Sequence, residues 1–397
     1  MSFSPTEFHT WLSDIRRDFH RHPELALQET RTTSRIVDIL DELGITAQRF
    51  DDMTGAVGLV TGTGPGKTIA LRADIDALPI TELNAVDYQS QNTGVMHACG
   101  HDAHTTIMLG VARKIIDTGL METLPGAVKF LFQPAEERVA GAAAMIERGA
   151  LESPRVDRVI AAHVTPQLAA GKIGIFKDLG FAAADRFVLT ITGKGGHGAR
   201  PEECTDPILA GAHFITQAQS IVSRNIKALD AAVITVGKFT AGVASNVIPE
   251  TAVLEGTVRS LDKAVRTLLI GRLTDLSGGL EKTFGVTTDF ILHEGVPAGS
   301  NDPAVSAELF QVAATIVGEE NTAYIPPVMG AEDFAYFSQA RPGAMIRLGC
   351  ANAGKGIVHP LHSPRFDVDE KALDIGVAFF YEAIRRYLST ASQEKTR

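Results

Sequence analysis

Short, uniformly apolar runs set between amphipathic helical stretches leave this chain little choice of architecture. Val128–Phe132 and Val159–Ala162 are too brief and too evenly hydrophobic to be surface helices. They read as strands covered on both faces by helices, the signature of an α/β sheet. Open α/β sheets bind ligands beyond the carboxyl ends of such strands. Three segments carry acidic or metal-binding side chains at those ends: Arg72-Ala73-Asp74-Ile75-Asp76 after Thr68–Leu71, Gln133-Pro134-Ala135-Glu136-Glu137 after Val128–Phe132, and His163 after Val159–Ala162. The run His97-Ala98-Cys99-Gly100-His101-Asp102-Ala103-His104 and a late Leu361-His362 add nitrogen, sulfur and oxygen donors.

At 397 residues the chain exceeds the size at which one core usually keeps growing, so two domains are expected. Mixed-charge amphipathic stretches at Thr6–Asp18 and Thr30–Leu43 predict helices, the second stopping at the C-capping Gly44, and helix–strand alternation continues to about Ile175. Around Asp185 the pattern changes. Arg186–Thr192, Ala232–Phe239 and Thr251–Arg259 alternate polar with apolar residues, helical stretches cover Asp206–Ser223 and Lys263–Phe284, and Thr287–Leu292 reads as a last strand. That order predicts an independent α+β module with a one-face-solvated antiparallel sheet, spanning 184–293 and inserted into a discontinuous α/β domain of residues 1–183 and 294–397. The α/β domain is expected to have a mostly parallel central sheet flanked by helices. The polar stretch Thr390–Arg397 is expected to fray.

Composition narrows the function classes. A net charge of −10 without clustered Lys and Arg argues against nucleic acid as a partner. No apolar run reaches the length of a membrane span, and Met1–Phe19 lacks the apolar centre of a signal peptide. The expected location is the cytoplasm, which suits three scattered cysteines, Cys99, Cys204 and Cys350, that form no disulfide pattern. Two phosphate-loop look-alikes are set aside. Thr61–Thr68 lacks the first glycine of a P-loop and precedes a strand, so it reads as a turn between adjacent strands. Gly193–Gly198 has dinucleotide spacing, but the next helix starts only near Asp206-Pro207, so it reads as a flexible loop that carries His197 into a cleft.

The donors point to a hydrolytic metal site. Cys99 and His101 stand two apart across Gly100 and can face the same way. On that pair alone an inert buried thiol and a capping histidine are the commoner readings. The balance moves because Glu136, Glu137, His163 and His362 occur where residues converge on the sheet's carboxyl edge, and an unpartnered acid after a buried strand is costly. Cys99, His101, Glu137, His163 and His362 outnumber the roughly three protein ligands of a mononuclear catalytic zinc, which favours two ions with a shared thiolate and water. Glu136 would then act as general base on that water and pass the proton to the leaving amine. Asp76 fits an orienting role behind a ligand histidine.

Together RADIDALP (72–79), HACGHDAH (97–104), FQPAEE (132–137), AAHV (161–164), KGGHGARP (194–201), SNVIP (245–249), GAEDF (330–334) and PLHSPRFDVDE (360–370) resemble the N-acyl-amino-acid amidohydrolases. This group includes hippurate hydrolases, auxin-conjugate hydrolases and aminobenzoyl-glutamate hydrolases, within the di-metal aminoacylase and carboxypeptidase superfamily. The resemblance spans nearly the whole chain. It implies a two-metal catalytic domain interrupted by a ferredoxin-like lid that also forms a dimer interface. Cys99, His101, Glu137, His163 and His362 match the family's ligands and Glu136 its base, while His197 and Asn246 match lid residues that hold substrate and polarise its carbonyl. Homodimers or dimers of dimers are implied, with a small acyl-amino acid as substrate. The wider superfamily has His where this chain has Asp74, and a bridging Asp where it has Cys99. Zinc, manganese, cobalt and nickel all suit such a mixed donor set. Arg138, Thr165-Pro166 and Arg200 also depart from the commoner pattern, and Arg138 or Arg200 could select an acidic substrate through bidentate pairing. Two alternatives remain at this point: a dipeptidase or carboxypeptidase with the same machinery, and a thiol hydrolase with Cys99 as nucleophile and His101 as base.

Overall fold

The computed structural model describes residues 3–394, with side chains to residue 389; residues 395–397, the end of the stretch expected to fray, lie outside it. The chain forms two compact units, one of residues 1–178, 300–326 and 336–397, the other of residues 179–299 and 327–335. Each has its own hydrophobic core.

The first unit is built on an eight-stranded sheet. Its strands are β1 (Thr46–Arg49), β2 (Ala56–Thr61), β3 (Thr68–Asp74), β4 (Ala127–Gln133), β5 (Arg158–Ala169), β6 (Ile173–Phe176), β7 (Thr322–Ile325) and β8 (Gly343–Ala351), in the order β1-β2-β4-β3-β5-β8-β6-β7. The fold is α/β with a mixed sheet. The central run β4-β3-β5-β8 is parallel, as is β6-β7, whereas β1-β2, β2-β4 and β8-β6 are antiparallel. β3 and β4 are buried along their whole length, as their apolar sequences require. Helices α1 (Pro5–Arg21), α2 (Thr30–Glu42) and α3 (His101–Thr118) and a C-terminal helix, Lys371–Glu394, supply the flanking layers. That last helix continues into the segment expected to fray.

Two other sequence expectations need correction. The Thr61–Thr68 run joins β2 to β3, but these strands are not sheet neighbours, because β4 lies between them. His163 does not follow the end of its strand. It sits within β5, whose outer half continues because Leu348 and Gly349 of β8 pair with Val164 and Thr165. Register nevertheless brings the expected residues level: Asp74 pairs with Gln133, and Arg72 pairs with Ala161, two residues before His163.

The second unit is an α+β module whose four-stranded antiparallel sheet has the order Ala232–Ala241, Thr251–Ser260, Ala183–Thr192, Thr287–Val296. Alternating burial along 183–192 and 251–260 leaves one face for the core, which is closed by helices Pro207–Asn225 and Lys263–Phe284. Asp206 and Asp262 cap these helices by accepting from the N–H groups of Ile208 and Ala264. Asp185, 1% exposed, ties the helix to the sheet: Arg266 donates to both its oxygens at 2.6 and 2.8 Å, and Gly295 N–H donates at 3.0 Å. Removing one partner of such a buried pair strands the other. Asp185→Ala is therefore expected to cost about 3 kcal/mol, measured as a lowered Tm or denaturant midpoint, with Asp185→Asn costing less.

Candidate metal centre

The site begins at a tight turn before α3. Gly100 has φ +85°, and a Cβ there would lie 2.4 Å from a methyl of Val164, so both conformation and space demand glycine. The turn places Cys99 and His101 on one side. Cys99 Sγ lies 3.5 Å from His163 Nε2, and Cys99, His101 and His163 present one donor atom each within a 4.8 Å group. Groups of the same tightness join Cys99 with Glu137 and His362, and His101 with Glu136 and Glu137. The structure thus brings together all five sequence-predicted ligands and Glu136, in the first unit. Four of these six are buried, Glu137 is half-buried and His362 is exposed.

Hydrogen bonds orient each histidine. His101 Nδ1 donates to the Asp76 carbonyl at 2.9 Å and carboxylate at 3.1 Å, leaving Nε2 buried without a hydrogen-bond partner. His163 Nδ1 donates to the Val164 carbonyl at 2.7 Å, which turns its Nε2 toward Cys99. His362, at φ +64°, is held by its own N–H donating to the Ala98 carbonyl, and its Nε2 lies 3.4 Å from Glu137 Oε1. Asp76 acts twice: its Oδ2 accepts the Glu137 N–H at 3.0 Å while Oδ1 faces His101.

His104 and Asp74 also approach His101 closely enough to form a candidate cluster, and both are tied into hydrogen bonds behind it. His104 Nε2 accepts the Val164 N–H at 2.8 Å, so its proton sits on Nδ1 and donates to Asp74 at 2.5 Å. Arg72 donates to the other Asp74 oxygen at 2.6 Å and to Gln133 at 2.7 Å. This chain pins the ends of β3, β4 and β5 together. The sequence reading did not assign it, although Arg72 and Asp74, two apart on a strand, must share a face.

Charge at the site favours a cation. Burial alone would raise the Asp74 carboxyl, yet His101, His104 and Arg72 hold it well below the usual range. Burial likewise opposes charge on His101, but Asp74 and Cys99 outweigh it and raise that group well above the ordinary imidazole value. A proton is thus drawn to the buried Nε2 position, where a metal cation would serve the same electrostatic purpose. Nitrogen, sulfur and oxygen donors with an orphaned, pre-oriented Nε2 fit a divalent transition-metal ion. Burial pushes the Cys99 thiol up to about 12, opposite to the depressed value that a nucleophilic cysteine needs.

In the second unit, Gly196-His197 pairs antiparallel with Val247-Ile248, and Gly198 N–H donates to the Asn246 carbonyl at 2.9 Å. This ribbon brings His197 and Asn246 close together, both exposed. Ala199 N–H donates to His197 Nδ1 at 3.0 Å, so the neutral ring carries its proton on Nε2. Arg200 is exposed and lies 3.6 Å from Glu203.

Residues 70–386 match the model of Peptidase family M20/M25/M40. The chain belongs to that family. It is 39% identical over 384 residues to an N-acetyl-L-cysteine deacetylase of Bacillus subtilis, an alignment covering 97% of this chain and 90% of the relative. Identity to the IAA-amino acid hydrolase ILR1-like 4 of Arabidopsis thaliana is 37%, covering 96% and 87%. The crystal structure of the Bacillus subtilis YXEP protein, described as a dinuclear metal binding peptidase from the M20 family, superposes with a TM-score of 0.85 at 33% identity, covering 97% of this chain and 99% of that one. This M20 protein is an enzyme, a metal-dependent amidohydrolase. Among the described residues no helix is long and apolar enough to cross a membrane.

Because Asp76 fixes both the His101 tautomer and the Glu137 backbone, Asp76→Ala is expected to weaken metal binding about 10- to 100-fold. Competition with a chromogenic chelator measures this, and Asp76→Asn, which keeps one acceptor oxygen, should lose less.

Proposed function

We propose that this M20 enzyme hydrolyses the amide bond of N-acyl or N-aroyl L-amino acids, releasing a carboxylic acid and a free amino acid. The observation that carries the reading is the convergence of Cys99, His101, Glu137, His163 and His362 with Glu136 beside them, each histidine oriented with Nε2 inward or toward a neighbouring ligand. Those five residues would hold two divalent ions, zinc, manganese, cobalt or nickel, with Cys99 shared. Bound there, the ions would lower the pKa of water and polarise the scissile carbonyl. Glu136, at the start of the turn after β4, removes the attacking water's proton and delivers it to the leaving nitrogen as the C–N bond breaks. Asp76 keeps His101 and Glu137 in place. His197, with a proton on Nε2, and Asn246 are hydrogen-bond donors suited to a developing oxyanion and to the substrate's polar groups.

The deacetylase and the conjugate hydrolase support an acyl-amino acid as the substrate class. The description of the YXEP protein as a peptidase favours a second reading, a dipeptidase or carboxypeptidase using the same centre. Metal-independent thiol catalysis by Cys99 is disfavoured by the elevated thiol pKa. We take residues 184–293 as a lid and dimerisation module, giving a homodimer or dimer of dimers. A reducing compartment such as the cytoplasm would keep the three free thiols intact.

Release of free amino acid from N-acetyl, N-benzoyl and N-indoleacetyl amino acids and from dipeptides tests both readings. Metal-stripped protein should be inactive and recover with a divalent ion, turning over acyl-amino acids faster than dipeptides; the reverse preference would favour the peptidase. Glu136→Gln should lower kcat by at least about 100-fold while binding the same amount of metal. Activity that survives full metal removal would overturn the proposal.

A further inference from the structure

The turn that carries Glu136 is held in an unfavourable backbone conformation. Ala135 has φ +54° and Val139 φ +55°, the left-handed region that residues other than glycine seldom adopt, least of all a β-branched one. Conformations of this kind persist only where the surroundings over-determine them. Two carboxylates do so here, one on each side of Glu136. Asp76 takes the Glu137 N–H at 3.0 Å, and Glu29 takes the Ala135 N–H at 2.9 Å across 106 residues of sequence.

Glu29 is placed unusually for this task. It occupies the N-cap position of α2, yet its side chain makes no capping bond. The first turn of α2 is served from outside by Glu24, whose carboxylate accepts from the N–H groups of Arg31 and Thr32 at 3.0 and 2.7 Å. The Glu29 carboxylate is thereby free to turn inward. It is fully buried, with Oε1 on Ala135 and Oε2 accepting the Thr54 hydroxyl at 2.5 Å. The same neighbourhood is closed by Gly55, whose N–H donates to Thr33 and where a Cβ would lie 2.7 Å from both the Phe132 carbonyl and the Pro134 ring. Burying a carboxylate is expensive, and burial raises the Glu29 carboxyl despite the bonds from Thr54 and Ala135. A helix-to-sheet tie could be made by apolar packing; a carboxylate aimed at one strained peptide specifies that peptide's orientation.

We propose that Glu29 is a positioning residue for Glu136: by accepting the Ala135 N–H it fixes the left-handed peptide and so the direction in which the Glu136 carboxylate leaves the backbone. This inference rests on Glu136 being the general base. A misplaced base loses transition-state interaction while leaving ground-state binding intact, so the effect belongs in kcat.

The test compares Glu29→Ala, Glu29→Gln and Thr54→Val with the parent enzyme on the acyl-amino acid it turns over fastest, with bound metal and Tm measured for each. Glu29→Ala should lower kcat about 10- to 100-fold with KM and metal content unchanged. Glu29→Gln, whose amide oxygen can still accept from Ala135, should stay within about threefold of the parent. If Glu29→Ala fails to fold, Thr54→Val removes the hydroxyl that orients Oε2 and should still lower kcat several-fold. The inference is overturned if the folded variants lose only Tm and keep kcat, if Glu29→Gln falls as far as Glu29→Ala, or if lost activity follows lost metal. Glu136→Gln run alongside separates the two claims: full activity there removes the base assignment itself, whereas its inactivity beside a fully active Glu29→Ala rejects only the role of Glu29.

Discussion

The centre depends on one carboxylate being shared between two backbone segments. Asp76 lies just beyond β3, the strand flanked by β4 and β5, and spends one oxygen on the His101 ring and the other on the Glu137 amide. His101 from the start of α3 and Glu137 from the turn after β4 are thereby referred to the same carboxylate. The position of β3 between β4 and β5, and the two acceptor oxygens of a carboxylate, suit Asp76 to this task. The parallel register of β3 with both neighbours makes the distances possible, since it brings Asp74, Gln133 and the His163 region to one level before any side chain is considered.

Behind that layer lies a second one of opposite design. In the chain Gln133–Arg72–Asp74–His104–Val164 the His104 Nε2 and both Asp74 oxygens already accept or exchange hydrogen bonds, so these groups hold the strand ends together. In front of it, the buried His101 Nε2 and Glu137 Oε1 have no hydrogen-bond partner. Buried polar groups are costly unless paired, and the division between a satisfied support and an unsatisfied front is what marks a binding site within an otherwise ordinary α/β sheet edge.

Much of this was legible in the sequence because it is periodic or local. Uniform apolar runs point to β4 and the inner half of β5, alternation to the strands of the second unit, and the Cys99-Gly100-His101 spacing to two donors brought close together around a glycine the backbone requires. What escaped was relational. His163 reads as the residue after a strand because it ends the uniformly apolar run Val159–Ala162, yet pairing with β8 carries the strand on to Ala169. The turn Thr61–Thr68 correctly precedes a strand, but that strand inserts beyond β4, a choice made by long-range pairing. Glu29 is invisible to local rules for a sharper reason. It stands where a helix cap is expected, and only the position of Glu24, five residues earlier, shows that the cap is supplied elsewhere.

The electrostatics explain why such a site can be assembled before its cation arrives. Asp74 and Glu137 bring two carboxylates into one largely buried neighbourhood, an arrangement that repels itself. Protons on the histidines relieve that repulsion: His101 is raised by Asp74 and Cys99, His362 by Glu137, and both carboxyls are lowered in return. The same positions can be neutralised by a divalent ion, so binding exchanges protons for metal rather than adding charge to an empty space, and the donor geometry need not be rebuilt. His163 sits apart from this exchange. Burial and the nearby Arg347 keep it well below the usual imidazole range, so its Nε2 lone pair is available without a proton to displace. If these residues hold a divalent ion as proposed, it would displace protons from His101 and His362 but none from His163, so metal retention would weaken as pH falls.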